Sequence, residues 1–369
     1  MKVVIDIKNL SLYGGGIAHW FAPLLAAWLE HKKDWQFCLL GPSFNQAFLP
    51  QSGNWEHANV IWPNWLPRPL RHPFYDNWLF PRAILRLSPD LVMSPYHDVR
   101  MPTFVKSVIT VHDLCLDELE DVYPYRIRSY YLALLRRNLL RASHVITVSQ
   151  TSQLKIAQRY NVALDRISVV YNTSSHDSGF IATANDVSEF KFRFEVKSCF
   201  LLYSGGSDYR KNIDRLLSAL ALLHETKPYL ELLVTGNFDV RWRKALHNAS
   251  RSLKDLVKFT GKLSEHDLVI AYAAADAVVY PSLCEGFGRV CLEAMEAGTP
   301  LACADLPAMR EVAGDYPCWF NPYDISSMVS AIEKTLQLKR VQAVRDDRFQ
   351  ATAVKKTFIS AMDTLESHS

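Results

Sequence analysis

Three features of the 369-residue chain predict an α/β fold built from two parallel-sheet domains. Short apolar runs rich in β-branched residues alternate with helical periodicity in both halves, the pattern of strand–helix–strand units and not of hairpins. That alternation dissolves once, between residues 173 and 197, into small and polar residues and a short charged stretch, and then restarts. The length also exceeds what one hydrophobic core of ordinary size uses. The economical arrangement is two Rossmann-like domains facing each other across a cleft, with ligands at the C-terminal ends of the strands. The expected division is residues 1–175, a linker at 176–197, and residues 198–349, with a helix over about 350–369 packing back onto the first domain.

The strands expected in the first half are VVIDI (3–7), FCLL (37–40), DLVMSP (90–95), SVITVH (107–112), HVITVS (144–149) and ISVVY (167–171). In the second half they are CFLLYSGG (199–206), LELLVTG (230–236), VKFTG (257–261), DAVVYP (276–281) and PLACAD (300–305). Each is short, apolar and bounded by Gly, Pro, Asp or Ser, as strands covered on both faces are. IDRLLSALALL, after the first strand of the second half, has the apolar spacing of a helix.

Hydrophobic residues make up 49% and charged residues 21% of the chain, which describes a globular protein and excludes a disordered one. No apolar stretch reaches the length needed to cross a bilayer, and MKVVIDIKNL reads as a strand and not as a signal peptide. The seven cysteines are scattered, odd in number and without a C-x-x-C pair. A reducing, cytoplasmic setting fits them better than a disulfide framework or a structural zinc site. Net charge is +3, close to balance, and the basic stretches match no nucleic-acid-binding motif. The charge is uneven: residues 1–175 hold 18 Lys+Arg against 13 Asp+Glu, the remainder 23 against 25.

Two carboxylates, Glu285 and Glu293, stand in the run CEGFGRVCLEAMEAGTP. Before them DAVVYPS is a buried strand ending at Pro281; after them residues 289–297 read as a helix that stops at Gly298 and Pro300. Strand, glycine turn and helix start bring backbone N–H groups to one point, which favours an anion and phosphate above all. Carboxylates beside a phosphate do not ligate it. They suit hydrogen bonds from hydroxyl-rich groups attached to it, such as a ribose and a sugar. The plain alternative is a loop glutamate and a solvated helix face. A second glycine turn, GGSDYRKN (205–212), follows the first strand of the second half and places Arg210 and Lys211 at a helix start. Cations there oppose the helix dipole, so a bound diphosphate explains them better than a solvated turn does.

YSGGSDYRKN, EGFGRVCLEAMEAGTP and LPAMREVAGD together resemble the retaining glycosyltransferases of the GT4 family, which have the GT-B fold. The two glutamates have that family's E-x7-E spacing. GGGI (14–17), VITVHDL (108–114), HVITVSQTS (144–152) and ISVVYN (167–172) extend the resemblance across nearly the whole chain. It implies that Glu285 contacts hydroxyls of the transferred sugar and Glu293 the nucleotide ribose. Gly286, Phe287, Gly288, Arg289 and Val290 would line the donor, Gly205 and Gly206 would form the phosphate turn, and Arg210 and Lys211 would hold the diphosphate. Thr260 to Leu263 would lie near the base, His112 near the reacting sugar, and Gly15 and Gly16 would let the first loop approach donor or acceptor. Some relatives carry arginine directly after the first glycine of the phosphate turn, where this chain has Gly206, so charge neutralisation rests on Arg210 and Lys211. No two aspartates are spaced D-x-D, so no metal or other cofactor is expected. His112 could otherwise be a core histidine capping a buried strand.

Residues 61–86 mix Trp62, Trp65, Phe74, Tyr75, Trp78 and Phe80 with Arg68, Arg71, Arg82 and Arg86, and residues 124–143 hold five arginines and no acid. Aromatic and basic residues together suit the edge of an anionic membrane; core aromatics with a solvated arginine face would look the same. The expected activity is metal-independent transfer of a hexose, mannose from GDP-mannose first, to a saccharide acceptor. A lipid-linked acceptor of bacterial surface polysaccharide or O-antigen assembly is the leading choice, at the inner face of the cytoplasmic membrane. A UDP-hexose transferase is the alternative within the family, an epimerase on the same fold is disfavoured by E-x7-E, and a catalytically idle interaction subunit is the alternative outside enzymes.

Overall fold

The computed structural model describes residues 1–8, 10, 16–44, 46, 49–50, 53–60, 66–174, 180–197, 199–236, 238–247 and 249–365. It divides into two compact units. The first comprises Met1–Asp117, Pro124–Asn172 and Ala351–Ser369; the second comprises Glu118–Tyr123 and Thr173–Gln350.

The first unit is built on the strands β1 (Lys2–Asp6), β2 (Gln36–Gly41), β3 (Trp55–Asn59), β4 (Leu91–Ser94), β5 (Lys106–Val111), β6 (His144–Thr147) and β7 (Ile167–Val169), in the order β3-β2-β1-β4-β5-β6-β7. Every pairing among these is parallel. Their apolar runs are buried on both faces because helices cover both. Val4, Val92, Ile109 and Val145 form one core with Leu132, Leu135 and Leu139 of the helix Tyr125–Arg141. On the other face Phe21 and Trp28 of the helix Gly16–His31 meet Phe358 of the helix Ala351–Thr364 edge-on, at centroid distances of 6.4 and 5.8 Å.

The second unit repeats the scheme with β8 (Phe200–Tyr203), β9 (Glu231–Val234), β10 (Val257–Phe259), β11 (Ala277–Tyr280), β12 (Leu301–Ala304) and β13 (Cys318–Phe320), in the order β10-β9-β8-β11-β12-β13. In both sheets the first strand has the second on one side and the fourth on the other. Strand order therefore reverses between β1 and β4 and between β8 and β11, and each reversal opens a crevice at the strands' C-terminal ends.

Two strands were not expected, β3 and β13, and both lie at sheet edges. Each is only partly buried, so neither carries the dense apolar run of a central strand. A further difference falls within the stretch read as linker, where Ala184–Arg193 is a helix of the second unit. Thr183 caps it: its hydroxyl accepts from the Asp186 N–H and the Asp186 carboxylate accepts from the Thr183 N–H, while Phe190 is buried.

Candidate functional site

The reversal point of the second sheet carries both glycine turns singled out in the sequence. The 205–212 turn leaves β8, and the 281–288 turn leaves β11. Gly205 sits where a Cβ would meet the Tyr203 ring at 3.0 Å, and Gly206 adopts φ +67°, so glycine is favoured at both for different reasons. The Tyr203 hydroxyl donates to the Gly206 carbonyl at 2.8 Å and fixes the turn. Asp208 accepts from the Arg210 N–H at 3.0 Å, starting the short helical turn Tyr209–Lys211.

Three hydrogen bonds tie this turn to its neighbours. The Leu283 N–H donates to the Arg210 carbonyl at 2.7 Å, and the buried Asn212 amide donates to the carbonyls of Pro281 and Pro322 at 3.1 and 2.8 Å. The cations of one turn thereby meet the carboxylate of the other. Lys211 Nζ lies 2.6 Å from Glu285 Oε1, and Arg210 Nη1 lies 3.1 Å from Glu285 Oε2. Lys211 also donates to the Tyr280 hydroxyl at 3.2 Å. Burial alone would raise the Glu285 pKa, but Arg210 and Lys211 outweigh it and bring it down to about 2. Burial pulls Lys211 downward against the attraction of Glu285. Arg210 and Lys211 converge on the Glu285 carboxylate, and Arg210 Nε lies a further 3.8 Å from Asp208 Oδ1.

Glu293 lies on the helix Arg289–Glu296 with its side chain 3% exposed. Arg289 Nη2 donates to its Oε1 at 2.8 Å, and the buried Tyr272 hydroxyl donates to its Oε2 at 2.7 Å. Gly288 begins the helix at φ +108° with no side-chain cap, and a Cβ there would meet Met309 Cγ at 3.2 Å. Gly286, Phe287 and Val290 are buried around it, with Phe287 edge-on to Phe349 at 5.3 Å. Thr260 and Leu263, half-buried, follow β10 beyond β9; the Thr260 hydroxyl donates to the Gly261 carbonyl at 2.7 Å.

The structure thus brings Arg210, Lys211, Glu285 and the helix start bearing Glu293 to one reversal point. Tyr280 and Tyr272, which hold Lys211 and Glu293, were not singled out in the sequence. Their one signal is a hydroxyl-bearing aromatic inside an otherwise aliphatic buried segment. His112 belongs to the first unit, directly after β5. Its Nε2 lies 2.9 Å from the Pro95 carbonyl, the Trp20 ring stands perpendicular to it at 4.9 Å, and the Tyr96 ring stacks on it at 6.0 Å. Gly16 starts the helix Gly16–His31, whereas Gly15 lies outside the described residues.

Comparison with known proteins agrees with this geometry. The family described as Glycosyltransferase Family 4 matches residues 15–175, and the family described as Glycosyl transferases group 1 matches residues 185–352. The chain is 33% identical over 272 residues to the O-antigen chain mannosyltransferase RfbU of Salmonella typhimurium, covering 73% of this chain and 72% of that one. It is 30% identical over 237 residues to the O-antigen chain mannosyltransferase B of Escherichia coli, covering 63% of this chain and 61% of that one. Among solved structures, sucrose-phosphate synthase from Thermosynechococcus elongatus superposes with a TM-score of 0.71 at 20% identity, over 99% of this chain and 94% of that one. With two reversed-order parallel sheets, an E-x7-E helix start and both family signatures in chain order, the protein belongs to the group 1, family 4 glycosyltransferases and is an enzyme of the GT-B fold.

Proposed function

We propose that the enzyme transfers mannose from GDP-mannose to a saccharide acceptor carried on a lipid, in the assembly of a bacterial surface polysaccharide such as O-antigen. The observation that carries the reading is the shared contact of Arg210 and Lys211 with Glu285 at the reversal point of the second sheet. It puts two cations that would hold a diphosphate beside the carboxylate that would orient the sugar. The choice of mannose is supported by the relatives at 33% and 30% identity, both of them O-antigen chain mannosyltransferases.

In this reading Arg210 and Lys211 hold the diphosphate and stabilise it as it leaves. Glu285 accepts from hydroxyls of the transferred sugar and Glu293 from the ribose. Gly205, Gly206 and the 286–290 segment let backbone groups approach the donor, Thr260 and Leu263 lie toward the base, and His112 of the first unit takes part in the transfer step. The departing phosphate accepts the proton of the attacking acceptor hydroxyl, so no enzymic nucleophile is required. Cationic side chains supply the positive charge that a metal supplies elsewhere.

The test is a donor panel of GDP-mannose, UDP-glucose, UDP-galactose, UDP-GlcNAc and ADP-glucose with a lipid-linked saccharide acceptor, with and without EDTA. The expected product is a mannosylated acceptor formed from GDP-mannose at the same rate in EDTA. Transfer from a UDP-hexose alone would overturn the donor assignment. Activity abolished by EDTA would overturn the metal-free reading.

A further inference from the structure

The reversal point of the first sheet carries an ion cluster that the transfer reading does not use. Lys8, just beyond β1, is buried, and its ammonium pairs with Asp76 and, at 2.8 Å, with Asp98. Asp6, the last residue of β1, accepts from the Tyr75 hydroxyl and from the Ser94 hydroxyl, each at 3.0 Å. Asp76 lies in a π-helical turn, Tyr75–Leu79, and its own carbonyl accepts from the Arg100 N–H at 3.0 Å. Such turns interrupt a regular helix at a cost and recur at functional sites. Three carboxylates around one ammonium in a water-poor site is an expensive arrangement for stability alone. Burial pushes the Asp76 pKa up against the attraction of Lys8, with Asp98 and Asp6 adding to the rise.

What the cluster holds is the 95–101 segment leaving β4, and that segment is fixed from a second side. The amide of the fully buried Asn138 donates to the carbonyls of His97 and Val99 at 2.8 and 2.6 Å, and its oxygen accepts from the Met101 N–H at 3.3 Å. The Tyr96 N–H donates to the Ser94 hydroxyl at 3.3 Å. Backbone groups of Tyr96, His97, Val99, Arg100 and Met101 are thereby tied to neighbouring elements. The loop ends on His112: the Pro95 carbonyl lies 2.9 Å from Nε2 and the Tyr96 ring stacks on the imidazole. A carbonyl oxygen only accepts, so this contact requires a proton on Nε2. In the neutral ring the lone pair then resides on Nδ1.

We propose that Lys8, Asp98 and Asn138 are positioning residues for the transfer reaction, holding the 95–101 loop so that the Pro95 carbonyl keeps His112 in the Nε2–H tautomer and fixes its ring. The proposal deepens the reading of His112 as a residue of the transfer step and rests on it. The distance-sensitive part is the Pro95 carbonyl, since a displacement of about 1 Å at a catalytic group can cost a hundredfold in rate.

The experiment combines turnover with 15N spectra of histidine-labelled protein, the His112 signals being identified by their loss in His112→Gln. The wild-type protein is expected to show the proton on Nε2. Lys8→Met and Asp98→Asn are expected to reduce transfer about a hundredfold, leave the donor KM unchanged, and produce a mixture of His112 tautomers. A wild-type proton on Nδ1 overturns the proposal without any variant, which covers the case of Lys8→Met failing to fold. It is also overturned if folded variants lose turnover while the His112 ring nitrogens stay unchanged, because the cluster is then only structural. Full turnover in His112→Gln would instead overturn the role of His112 in transfer, with the tautomer result standing apart from it.

Discussion

Glu285 has two roles that pull its substitution in opposite directions. Its carboxylate is shared by Arg210 and Lys211, and it is the group proposed to meet the sugar hydroxyls. Glu285→Gln keeps the shape and leaves the buried Lys211 and the partly buried Arg210 without the carboxylate between them. Breaking such a pair by removing one partner costs on the order of 3 kcal/mol, so the melting temperature should fall. A diphosphate would then restore the missing negative charge. Glu285→Gln is therefore expected to bind GDP at least as tightly as the wild type, to gain more melting temperature on adding it, and to lose transfer by a hundredfold or so. Calorimetry and turnover on one preparation check this; GDP affinity falling together with turnover would show that Glu285 supports the diphosphate site only through its shape. The pH dependence follows from the same contacts. The group is held near 2 when folded against 4.5 otherwise, so the folded chain binds fewer protons between those values. Its contribution is complete above about 4.5 and is lost as pH falls toward 2, a loss that Glu285→Gln should not show.

At the level of elements, the turns of the second unit demand particular residues, and this decides what the sequence reveals. Gly288 combines φ +108° with a Cβ position 3.2 Å from Met309 Cγ, directly before the helix that carries Glu293. Gly288→Ala is expected to destabilise the fold by about 1–3 kcal/mol and to weaken nucleoside diphosphate binding, read by thermal melting and calorimetry. An alanine variant with unchanged melting temperature would mean that the turn relaxes freely. Such positions advertise themselves as glycine, and the central strands beside them advertise themselves as unbroken aliphatic runs, which is why the β8 and β11 turns were legible. β3 and β13 were not, because an edge strand exposed on one side needs no apolar run: WEHAN alternates polar residues, and CWF is three residues long. The helix Ala184–Arg193 went unread because it buries mainly Phe190, although the Thr183–Asp186 capping box was there to find. Least legible was the Lys8 cluster. Its members come from β1, the π-helical turn and the β4 loop, and nothing local marks a lysine or an aspartate as buried. Only the order of the strands brings them together.

For the molecule as a whole, the uneven charge and the surface of the first unit bear on where the acceptor is met. No helix among the described residues is long and apolar enough to cross a membrane. The basic-aromatic stretch divides between two destinations: Tyr75, Phe80 and Ile84 are core, while Trp78 is 53% exposed, with the Arg82 guanidinium stacked 4.5 Å from its ring, and Leu70 and Leu85 are exposed on the same stretch. Trp62 and Trp65 lie outside the described residues. Tyr125, Ile127 and Leu140 are exposed on the arginine-rich helix Tyr125–Arg141. Core packing accounts for the buried aromatics, but it does not account for apolar side chains left in water beside arginines. A lipid-linked acceptor would give them an interface in which both kinds of side chain are satisfied. Each arginine at an anionic surface contributes about 1 kcal/mol, so Arg82→Ala and Arg86→Ala should each weaken binding to phosphatidylglycerol-containing vesicles about fivefold at low salt. Binding should decline steeply as salt rises past the range where the Debye length is about 10 Å, and Trp78→Ser should weaken it with little change in that salt dependence. Co-sedimentation across a salt series measures all three. Equal binding to neutral and anionic vesicles, or none to either, would remove the membrane from this account and leave the exposed side chains as a docking face for protein, while the donor site of the second unit would stand unchanged.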